Sequence, residues 1–474
     1  MNERLPARKP ILSLLMRLLV AAAFVAPAFH AQAGAILTSL HSFDSRDGIN
    51  PYGGLVQGTD GFLYGTTYSG GNNGVDGAGT VFKISTGGSF SNLVQFDTTD
   101  GAAPVGGLVQ GIDGLFYGTT FRGGTNTNSY GTVFQVSSNG ALNSLYSFGG
   151  TQDYLGIPLD GGLPEAPLVQ ASNGVFYGTC RYGGTNDNYP DGTIFEIGSN
   201  GGFTIAWSFT GASDGGAPEA GLVQGSDGNF YGTTFGDYGA DGGVFKFTPP
   251  QTVTGLHTFS GDDGANPYGG LVEGSDGNFY GTTTAGGAYT NGTVFKISSG
   301  GAFSNLYSFT GGNDGASPYG VLVQGGDGYF YGTTASGGAH TNGTLFRISS
   351  AGALTNLYSF TGGDDGGEPY AGLVQASDGN FYGETLMGGT NGYGTVFRMT
   401  IVPEFQTVAL NNGWLILSWF GVHGGLYQLQ YVSDLGSTNW TDLGSPFTTN
   451  GAILSASDPI TNGLQRFYRL VFSP

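Results

Sequence analysis

Between residues 36 and 400 short apolar runs alternate with turn residues, and the same runs return in the same order. The cycle is clearest at 270–309. Gly-Leu-Val-Glu (Gln in most cycles) is followed by Asn-Phe-Tyr-Gly-Thr-Thr, then Gly-Thr-Val-Phe-Lys-Ile, then Ala-Phe-Ser-Asn-Leu-Tyr-Ser-Phe. Runs of this length, rich in Val, Phe, Tyr and Thr and bounded by Gly, Asn, Asp and Ser, predict strands rather than helices. We name them strands a to d. Asp-Gly joins a to b in six cycles and Asn173-Gly174 in the seventh. That pair favours a type I′ turn, whose twist suits an antiparallel hairpin.

The cycle recurs seven times. The Tyr-Gly-Thr-Thr tetrad of strand b, or a close variant, starts at Tyr64, Tyr117, Tyr177, Tyr231, Tyr280, Tyr331 and Tyr382, with a mean spacing of 53 residues. Four antiparallel strands in ~50 residues predict a propeller blade. The phase predicts closure. A lone strand d at 36–43 precedes six full cycles, and a final a-b-c ends near Thr400. The first residues would then supply the missing strand and remove the open edge. The expected fold is all-β: a seven-bladed β-propeller over 34–402, closed by an N-terminal strand.

Composition agrees with this. Glycine supplies 92 of 474 residues without a Gly-X-Y period, which excludes collagen, and 34 Phe with 26 Tyr give the chain much to bury. Residues 1–33 differ: Arg4, Arg8 and Lys9 precede an apolar stretch from Ile11 to Phe29, and Ala31-Gln32-Ala33 follows. This is the pattern of a secretory signal peptide cut before Gly34. Without it, ten basic and 33 acidic residues remain, a formal charge of −23. An acidic chain without basic patches argues against nucleic acid and anionic membranes as partners. No later segment has the apolar length of a membrane span. The protein is expected outside the cell or on a bacterial cell surface, as a monomer. Cys180, the only cysteine, stands where other cycles have Thr and is expected to be a buried filler.

The Gly-Leu-Val-Gln, Asp-Gly-Asn-Phe-Tyr-Gly-Thr-Thr, Gly-Gly and Gly-Thr-Val-Phe runs resemble the GloVer tandem repeat of secreted bacterial proteins. The resemblance covers about residues 36–400 and implies secretion and a propeller-like array, with no established activity. From Pro403 the cycle stops. Short strand candidates and three of the four tryptophans fall in 403–474. This segment resembles a fibronectin-like β-sandwich module, suited to spacing or surface attachment, or to glycan contact through an exposed Trp.

Strand alternation puts the d–a and b–c loops on one face, where function tends to sit. Every d–a loop holds Asp-Gly-x-x-Pro, with Asp47, Asp100, Asp160, Asp214, Asp263, Asp314 and Asp365. A turn that caps its own backbone is expected, with Ca²⁺ binding as the alternative. No other cofactor or metal is expected. The b–c loops of units one to three have 11, 10 and 11 residues against 7 or 8 elsewhere, and the d–a loop at 149–166 has 18 against 10 or 11. The longer loops carry Tyr68, Phe121, Arg122, Tyr154, Arg181, Tyr182 and Tyr189, the candidate ligand-binding residues for a glycan or protein. No catalytic residue is assigned, since no hydrolase elbow, zinc pair or phosphate loop stands in a fitting context. Asp153, Asp160, Glu165, Asp187 and Asp191 sustain an alternative, a polysaccharide-active enzyme with a carboxylate pair on the unit-three loops. His41 and His257 are expected to pack. His340 and His423 have no evident partner in the sequence.

Overall fold

The computed structural model describes residues 35–72, 74–126, 128–185, 190–236, 240–401, 405–420, 426–434, 439–448, 453–459 and 466–473. The leader and its cleavage site therefore lie outside the described residues. Among the described residues, the elements besides a 3₁₀ turn at Gly74–Asp76 are β-strands.

Among the described residues, each of the first six repeat units forms one four-stranded antiparallel sheet in chain order. In the fifth unit the strands are Val272–Glu273, Phe279–Thr283, Thr293–Ile297 and Phe303–Ser308. Tyr280 lies opposite Val272 on one side and Lys296 on the other. A register shift follows the second residue of strand c, as at Val294/Phe295, and increases the local twist. The last unit takes strands a to c from Val374–Gln375, Phe381–Thr385 and Thr395–Ile401, and its fourth from Ala35–Ser42. Just beyond that strand the Phe43 N–H donates to the Gly394 carbonyl at 3.0 Å.

Each motif residue has a task in joining units. Strand b is buried along its whole length. Its Tyr stacks on the Phe that opens strand b of the next unit, as in Tyr64–Phe116, Tyr231–Phe279 and Tyr280–Phe330, with centroids 3.9, 4.0 and 3.9 Å apart. Such pairs contribute ~0.5–1.5 kcal/mol beyond area burial. The hydroxyl of the same Tyr donates to the Asp of the a–b turn, Tyr280 to Asp276 at 2.8 Å and Tyr331 to Asp327 at 2.7 Å. The Gly after it leaves room for the ring of its cross-strand partner in the same unit, because a Cβ at Gly281 would stand 2.5 Å from Phe295 Cζ.

Strand-a Gln side chains staple neighbours together. Gln110, Gln170 and Gln324 accept from the N–H groups of Thr59, Ile112 and Ser275 in the preceding units. The first Thr of the tetrad donates to a carbonyl of the following unit, Thr119 to Ala166 at 3.0 Å and Thr333 to Ala371 at 3.0 Å. Tyr382 of the last unit packs in one cluster with Leu63 and Phe82 of the first.

The described residues from Thr400 onward fall, with Ser377–Asn380 and residues 35–36, in a compact unit apart from the rest. One sheet contains Phe405–Asn411, Trp414–Phe420 and Ile453–Pro459. The other is built around Leu426–Val432, paired with Thr441–Asp442, Phe447–Thr448 and Phe467–Ser473. Leu415 and Leu417 of the first and Leu429 and Tyr468 of the second share one core. Trp419 is fully buried, whereas Trp414 is 47% exposed. The Arg469 guanidinium covers the Trp440 ring at 4.4 Å.

Candidate functional site

The d–a loops are built around their Asp. In all seven units its carboxylate accepts a backbone N–H from the start of the loop, as from Asp44, Asp97, Gly149, Thr210, Ser260, Thr310 and Thr361. In most units it also takes a hydrogen bond from a ring on strand d: Tyr146, Trp207, Tyr307 and Tyr358 donate to Asp160, Asp214, Asp314 and Asp365. His41 and His257 make the same contact with Asp47 and Asp263, and each ring also stacks on a Phe. The aspartates thus serve the turn. Among the described residues, no three His, Cys, Asp or Glu side chains are grouped to hold a metal ion.

The residue before the Pro adopts a left-handed conformation in every unit: Asn50, Ala103, Leu163, Ala217, Asn266, Ser317 and Glu368, with φ between 51° and 58°. Few side chains favour that region, and Leu163 least of these. It persists because the carbonyls of Asn50, Ala103 and Asn266 accept from Tyr68, Phe121 and Thr284, the first residues of the b–c loops. The Pro then fixes the exit of the turn, and the residue after it reaches a shared cavity.

Those seven residues are Tyr52, Val105, Glu165, Glu219, Tyr268, Tyr319 and Tyr370, and all line one cavity of about 160 Å³. The tyrosines form an arc. Tyr52 meets Tyr370 edge-on at 5.6 Å, Tyr370 stacks on Tyr319 at 4.3 Å, and Tyr319 meets Tyr268 edge-on at 5.3 Å. Tyr68 adds a further edge contact to Tyr52 at 5.7 Å. Arg181 joins the two glutamates, Nη1 to Glu165 at 3.3 Å and Nε to Glu219 at 3.0 Å, and the Tyr268 hydroxyl donates to Glu165 at 3.4 Å.

Burial dominates the electrostatics. It raises the Glu165 carboxyl, although the Arg181 charge pulls the other way. Burial also raises Tyr268, helped by the charges of Glu165 and Glu219. It pushes Tyr370 up to about 12, with Tyr319 and Glu368 adding to the shift, and raises Tyr52, with Tyr68, Glu368 and Tyr319 adding. The phenols therefore stay protonated at neutral pH and can donate hydrogen bonds.

The loop candidates divide into two groups. Arg181 and Tyr68 touch residues of the cavity lining, Glu165 with Glu219 and Tyr52, without lining it themselves. Tyr182 turns the other way, stacking on Tyr130 at 6.2 Å, and the Tyr130 hydroxyl donates to the Gly156 carbonyl of the long d–a loop. Tyr154, at 93% exposure, caps the tip of that loop, where Asp153 accepts the N–H groups of Leu155 and Ile157. Phe121 is half-buried, with the exposed Arg122 guanidinium 5.3 Å from its ring centroid. Tyr189, Asp187 and His423 lie outside the described residues. His340 is exposed. Cys180 is fully buried, and desolvation pushes its thiol up.

Arg181, a candidate ligand-binding residue, holds the buried carboxylates of Glu165 and Glu219. The residue after the Pro was not read as a site from the sequence. Its signal was present: one fixed register in each unit that carries Tyr, Val or Glu while the Pro before it never changes.

Residues 28–188 and 235–414 match the model of the Gloeobacter/Verrucomicrobia repeat. No curated protein matches the chain in sequence. Solved structures resemble it distantly. A candidate 6-phosphogluconolactonase from Bacteroides uniformis is 12% identical, with a TM-score of 0.41, covering 90% of this chain and 100% of its own. A puromycin hydrolase is 9% identical at TM-score 0.45, covering 80% and 60%. An alpha-L-arabinofuranosidase from Fusarium graminearum is 13% identical at TM-score 0.37, covering 62% and 91%. With the repeat matched over most of its length and its motif residues accounted for in the sheets, the chain belongs to the Gloeobacter/Verrucomicrobia repeat family.

Proposed function

We propose that the protein is exported after cleavage before Gly34 and acts as a non-enzymatic binding protein for an extracellular saccharide. Its seven sheets close as a seven-bladed β-propeller. Closure is supported by the strand Ala35–Ser42 in the last sheet and by the cluster that joins Tyr382 to Leu63. The ligand enters the cavity on the d–a/b–c face. One observation carries this reading: a single register position contributes one residue from every unit to one cavity, and four of the seven are tyrosines. Tyrosine offers an apolar ring to sugar C–H faces and a hydroxyl to sugar oxygens. Arg181, Glu165 and Glu219 add directional polar groups. The rigid sheets hold these groups in place, which lowers the ordering cost of binding.

A second reading, polysaccharide hydrolysis, is favoured by the raised Glu165 carboxyl beside Glu219. One experiment separates the two. A glycan array with the purified mature chain identifies a binder, and titration with Tyr319→Ala and Tyr370→Ala measures the site. Each substitution should weaken binding at least tenfold, the range of aromatic hot spots. Undiminished affinity in both would refute the site. Release of reducing ends from the bound glycan would replace binding with hydrolysis.

A further inference from the structure

The cavity has a one-sided charge. Among the described residues, Glu165 and Glu219 are the charged ones in its lining. Both side chains are nearly inaccessible, at 8% and 3% exposure, and Arg181 forms an ion pair with each. Glu368 supplies a third carboxylate, close enough for its charge to add to the shifts of Tyr52 and Tyr370. Three carboxylates thus stand against one guanidinium. The rest of the lining is backbone, small apolar residues and the tyrosine arc. Aromatic rings carry negative potential on their faces, so they favour a cation and disfavour an anion. The formal charge of −23 left after the leader adds a long-range field of the same sign.

We infer that the cavity selects a ligand bearing a positive charge, an ammonium-substituted saccharide in place of a neutral or acidic one. This rests on the saccharide reading above. The ammonium group sits between the tyrosine arc and the carboxylates of Glu165 and Glu219. There it gains ring and ionic contacts together while the sugar hydroxyls meet the phenols. An acidic sugar would meet the carboxylates of Glu165 and Glu219 and a guanidinium that is already engaged with both. A neutral sugar would keep the stacking and lose the ionic contacts.

The test uses the mature chain and two tetrasaccharides that differ only at nitrogen, oligoglucosamine and its fully N-acetylated form, titrated at low and high salt. The amine form should bind roughly tenfold more tightly at low salt, and the ratio should shrink in high salt as screening grows. Glu368→Gln, a substitution at a partly exposed position outside the ion pairs of Arg181, should lower the ratio without unfolding the protein. Equal affinities, or preference for the acetylated form, would overturn charge selection and leave the saccharide reading standing. If neither oligomer binds, choline and its uncharged carbon isostere decide. Binding of choline alone sustains a cation site and removes the saccharide. Binding of neither overturns the inference, whatever other glycan the protein takes.

Discussion

Glu384 accepts the backbone N–H of Gly54 at 3.1 Å, joining the last repeat unit to the first across 330 positions of sequence. Six units place Thr at this point of the tetrad, and each hydroxyl donates to a carbonyl of the next unit. The longer Glu reaches past the equivalent carbonyl, that of Gly53, to the following N–H. Its other oxygen, Oε1, is buried with no hydrogen-bond partner among the described residues. Burial outweighs the one backbone hydrogen bond and pushes the carboxyl up to about 8.

A pH-dependent cost follows at this joint. In the unfolded chain Glu titrates near ~4.3. Between that value and about 8 the folded state keeps a proton that the unfolded state gives up. The contribution is fully present below the unfolded value and is lost as pH rises through the folded one. Glu384→Thr restores the residue of the other units. It should stabilise the protein by on the order of a few kcal/mol near pH 9 and by much less near pH 4. Denaturant melts of parent and variant at both pH values measure the difference, in which the other carboxylates cancel. A gain independent of pH would show that the carboxyl titrates alike in the folded and unfolded chain, so that burial does not raise it.

The same joint depends on the strand Ala35–Ser42. Phe43 beside it is fully buried and packs on Phe82 at 5.3 Å. Removing residues 35–43 would bare the edge of Thr395–Ile401 and empty an aromatic slot. A loss of several kcal/mol is expected, comparable to two large side chains at ~1.5–3 kcal/mol each, together with aggregation through the open edge. Calorimetry and light scattering of the truncated chain check both. An unchanged melting temperature would leave closure without support.

Arg181 is expected to matter for folding as well as binding. Arg181→Ala leaves Glu165 and Glu219 buried without their counter-charge. Losing one side of a buried ion pair costs ~3–5 kcal/mol. The guanidinium is 41% exposed, which reduces the expected loss to ~1–3 kcal/mol. The triple variant with Glu165→Gln and Glu219→Gln should recover most of it, because no unpaired charge remains. If the single variant melts like the parent, water already supports the two carboxylates.

Much of this was legible from periodicity. The hairpins, the Asp-Gly turns and the identity of the fourth strand in the last sheet follow from which runs recur and where the cycle breaks. The turn role of the Asp-Gly-x-x-Pro aspartates followed from local chemistry alone. The site was less legible, because attention to longer loops favours residues such as Tyr154, which stands 93% exposed and does not line the cavity of Glu165 and Glu219. Neighbours also separate: Arg181 and Tyr182 are adjacent in sequence, yet one reaches Glu219 and the other Tyr130. A residue after a Pro in an ordinary turn shows no chemistry by itself. Only the assembly of all seven units brings Tyr52, Tyr319 and Tyr370 together.

The turn that carries Glu165 to the cavity contains the least favourable of the seven left-handed residues, Leu163 at φ 56°. An L side chain in that region costs ~1–2 kcal/mol, and Asn tolerates it best after Gly. Asn occupies the same register at Asn50 and Asn266. The Asn50 amide also donates to the Leu386 carbonyl of the unit before it, at 2.9 Å. The matching carbonyl for position 163 belongs to Phe121, the first b–c residue of the second unit. Leu163→Asn should therefore stabilise the protein by ~0.5–1 kcal/mol, the relieved strain being partly offset by lost apolar contact. Saccharide affinity should stay within twofold, since the Glu165–Arg181 contact is left in place. Denaturant melts and titration on the same preparation decide both points. Destabilisation would mean that the packing of Leu163 outweighs its strained backbone. Unchanged stability with altered affinity would mean that this turn controls the position of Glu165 in the cavity.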